Sequence, residues 1–440
     1  MKRYLWVKAD KKLMEKSNFT EYDKTESIMS RFSEVRKTTE NLASPLEIED
    51  YVIQATDDAS PVKWHLGHTS WFFDKFIIRE YMDNNSVKIE DVDFMFNSYY
   101  ETLGKYLSKN KRGIMSRPLV KETYEYRDKV TQAIIELLKT NAGKKPEILK
   151  RVELGINHEQ QHQELLLMDI KAASYHNGGR INYPAKKSKP SKRSPQEWVK
   201  FKGGIKEIGY SGNDFSFDNE CPIHKVYLDD FELQKSPVSN GEFMEFIQAD
   251  GYKKPELWLS EGWNFIQREN ISLPLYWTKF SDGYKIFKMS GYEDIDMDEP
   301  VSHVSYFEAD AFAKWKGARL PREEELEVAG LDLKIDDSQN FMEKFYLSPI
   351  SYDDKSDVMQ KLFGDVWEWT SSAYLPYHGG KPLEGNLGEY NFKFMSNQFV
   401  LRGGSCITPM THFRKTYRNF YHPEKRWEMS GIRLARDSID

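Results

Sequence analysis

The chain changes its hydrophobic rhythm near its middle. In the first part, apolar residues recur every three or four positions, the period of a helix with one buried face. Ile28, Met29, Phe32 and Val35 mark such a helix over 26–43. Ser44-Pro45-Leu46-Glu47 has the form of a capping box with proline at the first helical position, which predicts a further helix start. Ser60-Pro61 predicts another, running through Trp64, His65, Leu66, His68, Trp71, Phe72, Phe76 and Ile77 to about Met82. Residues 123–138 and 146–174 complete four substantial helices, and a four-helix bundle over 26–180 is the economical way to bury their apolar faces. Residues 1–25 are left as an N-terminal extension.

Around 176–198 the pattern breaks. Gly178, Gly179, Pro184, Pro190 and Pro195 are interleaved with Lys186, Lys187, Lys189, Lys192 and Arg193, a composition that cannot bury a core. This predicts a solvated linker or long surface loop, centred on 181–198. Beyond it, short β-prone runs such as 206–208, 226–228, 399–402 and 431–434 alternate with Gly, Asn, Asp and Trp, with helical patterns at 240–248 and 307–315. An α+β domain over 199–440 is expected.

Composition narrows the class. At roughly 150 residues per domain, 440 residues predict two or three domains. Lys+Arg 63 against Asp+Glu 69 leaves a net charge of −6 with no basic face, which argues against a nucleic-acid partner. No apolar run approaches the length of about 18 residues needed to span a bilayer, and no apolar stretch follows the basic N-terminus, so neither a membrane span nor a signal peptide is expected. Two cysteines, Cys221 and Cys406, provide no disulfide framework, consistent with a reducing, cytoplasmic setting.

The sharpest chemical signal is Asn157-His158-Glu159-Gln160-Gln161-His162. Four residues apart on a helix, His158 and His162 project from one face at a spacing that one metal ion bridges. Gly155 a turn earlier and Leu165 and Leu166 a turn later put them on the bundle's inner side. The spacing also matches H-E-x-x-H, which raises a zinc hydrolase with Glu159 as general base, but the third histidine of the extended pattern is replaced by Leu165 and Met168. Trp64-His65-Leu66-Gly67-His68 offers a better third ligand, and three histidines without carboxylate or thiolate suit Fe(II) or Zn(II) with open positions.

Several motifs, in this order, carry a family resemblance. They are DDASPVKWHLGHTSWFF (57–73), FNSYYETLG (96–104), RGIMSRP (112–118), NHEQQHQELLLMDI (157–170), PVSHVSYFEADAFAKWKGARLPREEELEVAG (300–330), FGDVWEWTSS (363–372), VLRGGSC (400–406) and YRNFYHPEKRWEMSGIRLARD (417–437). Together they resemble the ergothioneine-biosynthesis sulfoxide synthases, non-haem iron enzymes that join a DinB-like helical bundle to a C-type-lectin-like domain of the formylglycine-generating-enzyme kind. The resemblance implies Fe(II) ligands at His68, His158 and His162. It implies substrate contacts at Gln161 and Asn419 for the trimethylated histidine, hercynine, and at Arg112, with Arg426 as a weaker candidate, for a carboxylate of the thiol substrate. Tyr421 stands where the actinobacterial branch has an aspartate. The Asn-Ser-Tyr-Tyr motif resembles the branch that uses free cysteine instead of γ-glutamylcysteine, with Tyr100 as the catalytic tyrosine and Tyr99 beside it; Tyr374 and Tyr377 are reserves.

The reaction so implied is a dioxygen-dependent C–S bond formation between cysteine and the hercynine imidazole, giving the sulfoxide. Selenoneine-type and ovothiol-type synthases are neighbouring alternatives. A non-catalytic small-molecule-binding protein is the alternative from another class.

Overall fold

The computed structural model describes residues 21–82, 91–181, 183–192, 195–351 and 359–438. Most of the expected N-terminal extension, and Arg193 of the expected linker, lie outside the described residues. The first part is helical: α1 (Glu21–Ala43), α2 (Val62–Phe73), α3 (Val120–Lys139) and α4 (Pro146–His176). Helix α2 continues through a π turn at Asp74–Ile78 to Tyr81. α1 packs on α4, and α2 packs on both α3 and α4.

Two glycines set how closely neighbouring chain approaches α2 and α4 beside the histidines. A Cβ on Gly155 of α4 would come within 2.5 Å of the Phe73 ring of α2. One on Gly67 would come within 2.1 Å of the Phe96 ring. Gly155 thus lets α2 and α4 approach one turn before His158, and Gly67 admits Phe96, whose carbonyl bonds His68, one residue before that histidine.

The helix start expected at Ser44-Pro45 is a correction. The chain forms only a short 3-10 turn at Ile48–Val52, closed by the Asp50 carboxylate accepting from the Glu47 N–H at 3.0 Å. Tyr51 donates from that turn to the Ala43 carbonyl at the end of α1, 2.9 Å away. A tertiary contact that terminates α1 thus overrides the local capping signal.

The segment after α4 lacks regular structure, yet parts of it are packed down. Ile181 and Tyr183 are buried, Tyr183 donates to the Leu42 carbonyl at 2.6 Å, and the Lys186 N–H reaches the Phe345 carbonyl at 2.8 Å. Two apolar anchors among the lysines tie the loop to both parts of the molecule.

The second part is α+β. Its strands are β1 (Trp198–Phe201), β2 (Gly204–Ile208), β3 (His224–Leu228), β4 (Phe231–Gln234), β5 (Trp277–Phe280), β6 (Gly283–Lys288), β7 (Gly291–Asp294), β8 (Trp367–Ala373), β9 (Phe399–Arg402), β10 (Asn419–Tyr421), β11 (Ser430–Gly431) and β12 (Ala435–Asp437). They form four small sheets, ordered β1-β4-β12, β10-β9-β8-β11, β2-β3 and β5-β6-β7. Helices α5 (Asn240–Gln248) and α7 (Tyr306–Trp315) match the expected positions; α6 (Ser260–Arg268) and α8 (Glu323–Gly330) are additional.

The expected strand at 431–434 instead breaks between β11 and β12. There Arg433 turns inward, onto Glu368 and the carbonyls of Gln234, Lys235 and Gln360. A buried guanidinium with that many acceptors is satisfied only off the ladder.

The two parts share an apolar seam. Leu42, Leu166 and Ile170 of the helices pack in one cluster with Met342, Leu347, Val366, Cys406 and Ile407. Cys406 is fully buried there as a small apolar residue. Among the described residues no helix is long and apolar enough to cross a membrane.

Candidate metal centre between the helices and the second domain

Helix α4 carries the site on one face and its support on another. His158 and His162 meet His68 of α2, and one ligand atom from each lies within 4.8 Å of the others. His68 Nε2 and His158 Nε2 are only 3.1 Å apart, and His68 Nδ1 donates to the Phe96 carbonyl at 2.6 Å. With its proton held there, His68 presents a lone pair at Nε2 toward the other two rings.

Burial holds all three imidazoles well below their usual pKa, with the facing rings adding to it at His68 and His162; His158 falls to about 3. The rings are therefore neutral at physiological pH. His158 Nδ1 is buried without a hydrogen-bond partner. At 3.1 Å the two Nε2 atoms share one proton as a hydrogen bond; with that proton moved to His158 Nδ1, which has no other partner, neutral nitrogens converge in a donor set that fits a borderline divalent metal.

The residue next to His158 faces the other way. Glu159 accepts from Thr39 (2.7 Å) and Arg36 (3.0 Å) and is ion-paired with Arg127, all buried. Despite its burial, the two guanidinium groups pull its pKa down to about 2. A carboxylate so enclosed is not a general base for a water on the histidines. The H-E-x-x-H hydrolase reading fails on this geometry.

A second face of α4, repeating at helical intervals, meets the second domain. Asn157 accepts from His412 at 3.0 Å, Gln160 donates to Thr411 at 2.7 Å, and Gln161 donates to Tyr417 at 2.8 Å. Gln161 also accepts from Tyr390 at 2.5 Å. Glu164 accepts from Trp367 (2.6 Å) and Thr408 (2.7 Å), and its burial raises its pKa to about 7. Within this otherwise buried stretch Gln161 and Leu165 stay partly exposed, as do Asn419, Tyr421 and Trp427 of the second domain, the last of which bonds Asp169 of α4. Partial exposure in the middle of a sandwiched helix marks a cleft between the two parts.

Arg112 is buried beside this centre. It donates to Ser60 Oγ (2.9 Å) and Ser98 Oγ (3.0 Å) and lies 3.4 Å over the Trp64 ring, which itself stacks on His68. The other described buried arginines, Arg36, Arg127, Arg402, Arg418 and Arg433, each pair with a carboxylate; Arg112 does not, and its Nε has no partner. Desolvation lowers its pKa to about 9. A buried guanidinium in this state lacks a counter-charge. Arg426, by contrast, is committed: its Nε lies 3.1 Å from Glu308 and it donates to the Leu273 carbonyl.

The tyrosines divide unevenly. Tyr100 is fully buried with its hydroxyl unpartnered, and burial raises its pKa well above normal. It stacks on Tyr99 and touches Trp71 and Phe76, so ring contacts through Trp71 connect it to His68. Tyr390, which sequence reasoning missed, is nearer the histidines: its ring contacts His158, with centroids 5.8 Å apart. Asn419 accepts from the neighbouring Phe420 N–H, and the Tyr421 ring packs edge-on to Trp427. Tyr374 bonds Asn219, and the Tyr377 ring packs at a tilt against His224, within the second domain. Nothing in the sequence around Tyr390 singles it out. Asp169, which bonds His65, was also missed, although its place two turns after His162 on the same face of α4 was a signal that could have found it.

Comparisons with known proteins agree with this layout. Residues 184–342 and 337–438 match the Sulfatase-modifying factor enzyme 1-like domain. The chain is 29% identical over 407 residues to the hercynine oxygenase of Mycolicibacterium smegmatis, covering 86% of this chain and 91% of that protein. It is 31% identical over 308 residues to the hercynine oxygenase of Mycolicibacterium thermoresistibile, covering 64% and 68%. Against the hercynine oxygenase of Mycobacterium tuberculosis it is 36% identical over 242 residues, covering 50% of this chain and 56% of that protein's length.

Proposed function

Since the chain belongs to the hercynine oxygenase family, with a sulfatase-modifying-factor-like domain behind its helical bundle, we propose that it joins cysteine to the imidazole of hercynine as a dioxygen-dependent sulfoxide synthase. His68, His158 and His162 would hold Fe(II). When bound, the metal supplies a Lewis-acidic centre and the redox capacity to use dioxygen. The balance closes without another reductant: one imidazole C–H, one thiol S–H and O2 give the C–S(=O) linkage and water. Dioxygen takes four electrons, two from forming the C–S bond and two from oxidising sulfur.

The observation that carries this reading is the pairing of three converging neutral imidazoles with an unpaired buried guanidinium beside them. Arg112 orients the carboxylate of the thiol substrate. One unpaired buried arginine matches a donor with a single carboxylate, which supports free cysteine over γ-glutamylcysteine. Gln161 of the bundle (26–180), with Asn419 and Tyr421 of the second domain (199–440), would receive hercynine. Tyr100, which burial keeps protonated and so able to donate, is the proton donor, with Tyr99 beside it and Tyr390 as the tyrosine in ring contact with His158.

The test is oxygen uptake by anaerobically Fe(II)-loaded protein given hercynine with cysteine, γ-glutamylcysteine or a selenosugar, with mass spectrometry of the product. Uptake with cysteine and a sulfoxide product is expected. Uptake only with another donor reassigns the thiol site; no uptake with any donor, despite bound iron, sinks the enzymatic reading.

A further inference from the structure

One histidine of the WHLGH segment has no part in the ligand set, yet it is bonded to it. His65 Nδ1 lies 2.9 Å from His162 Nδ1, and His65 Nε2 lies 2.9 Å from Asp169 Oδ2. Asp169 Oδ2 also accepts from the Ser60 N–H at 2.8 Å, and Oδ1 accepts from Trp427 Nε1 at 3.3 Å. His65, His162 and Asp169 are all buried. We propose that His65 and Asp169 are positioning residues of the metal centre: together they lock His162 in the tautomer that aims its Nε2 lone pair at the metal. The proposal rests on the three-histidine site assigned above.

The donor and acceptor inventory fixes the chain of bonds. An ionised carboxylate only accepts, so His65 donates from Nε2. The neutral His65 ring then has a lone pair at Nδ1, and His162 must donate to it from its own Nδ1. That leaves Nε2 of His162 without a proton and makes it the nitrogen His162 offers to the metal. The reverse arrangement puts two lone pairs against each other at 2.9 Å, or places an N–H where the metal must sit.

The three ligands thus have unequal support: a backbone carbonyl for His68, a His–Asp pair for His162 and nothing for the buried Nδ1 of His158. Asp169 is itself gripped from both parts of the molecule, by Ser60 at the start of α2 and by Trp427 at the cleft. Supporting bonds of this kind typically change metal affinity about 10–100-fold.

The test uses the full-length protein labelled with [15N]histidine and loaded with Zn(II) as a closed-shell probe, alongside anaerobic Fe(II) titrations. The long-range ring correlations are expected to show His162 protonated at Nδ1 and His65 at Nε2; the opposite tautomer at either ring overturns the proposal. Asp169→Ala and His65→Phe are expected to weaken Fe(II) binding about 10–100-fold, while His65→Asn, which restores an acceptor near the Nδ1 position, recovers part of the loss. Unchanged Fe(II) affinity in Asp169→Ala and His65→Phe also overturns it. A chain that binds metal and turns over, with those variants unaffected, defeats only the positioning role. Wild-type protein that binds neither ion defeats the three-histidine site as well. Because the tautomers are read in wild-type protein, the test stands even where a variant fails to fold.

Discussion

Two neighbouring residues on helix α4, His158 and Glu159, sit in environments of opposite design. Glu159 is enclosed by Arg36, Arg127 and Thr39, with its charge compensated and both oxygens bonded. His158 is equally buried, but it faces another imidazole nitrogen at 3.1 Å and leaves Nδ1 without a partner. A satisfied buried charge holds helices in register, whereas an unsatisfied buried cluster waits for a ligand. The same helix therefore carries a clamp on one side and a receptor on the other, about 100° apart around its axis.

That contrast breaks most severely at the clamp. Glu159→Ala strands the buried Arg36 guanidinium and leaves Arg127 with Glu40 alone, and should cost about 3–5 kcal/mol of stability, read as a lowered urea midpoint. The same interaction has a pH signature. Glu159 titrates below its ordinary value in the folded protein, so its stabilisation is full above the ordinary carboxylate range and fades as pH falls toward about 2. Wild-type protein should lose stability over that acid window more steeply than Glu159→Gln, and parallel curves for the two would deny the clamp its role.

At the receptor the expected pattern inverts. His68→Ala should lower Fe(II) affinity more than about 100-fold while costing the metal-free protein less stability than Glu159→Ala does, since the bonds it removes are between neutral groups. Calorimetry of the apo protein and an iron titration check both halves. Iron retained in full would remove His68 from the ligand set.

Next in size is the anion receptor. Arg112→Gln should raise the KM for cysteine about 10–100-fold, the scale of a lost charged hydrogen bond, with a smaller change in kcat. A kcat effect alone would move the carboxylate elsewhere. Tyr100→Phe and Tyr390→Phe sharpen the comparison further. The first is expected to cut sulfoxide formation about tenfold or more with iron and substrates still bound. The second, losing only its bond to Gln161, should act mainly on hercynine binding. Exchange of these two phenotypes would assign proton donation to Tyr390.

Much of the site was legible as spacing. The His158–His162 interval and the WHLGH segment lie on regular helices, where sequence distance converts directly into a face, and the structure brings His68 to them. The same logic extends to Asp169, seven residues after His162. Tyr390 and Trp427 were not legible, because they reach the cleft from irregular chain whose path depends on the whole second domain. The Ser44-Pro45 helix start failed for a related reason: a local capping pattern lost to the Tyr51 bond that ends α1.

The sequence by itself determined which faces of the long helices are buried, where the chain changes from helical to mixed architecture, and which imidazoles share a helical face. These follow from periodicity, which is local. The tertiary structure alone decided that Glu159 turns toward two arginines and away from the histidines, that Arg112 is the buried arginine left without a carboxylate, and that Arg426 is already paired with Glu308. Those outcomes depend on which distant side chains arrive at the same place. Only the folded chain sets whether a buried charge meets its counter-charge or awaits a ligand.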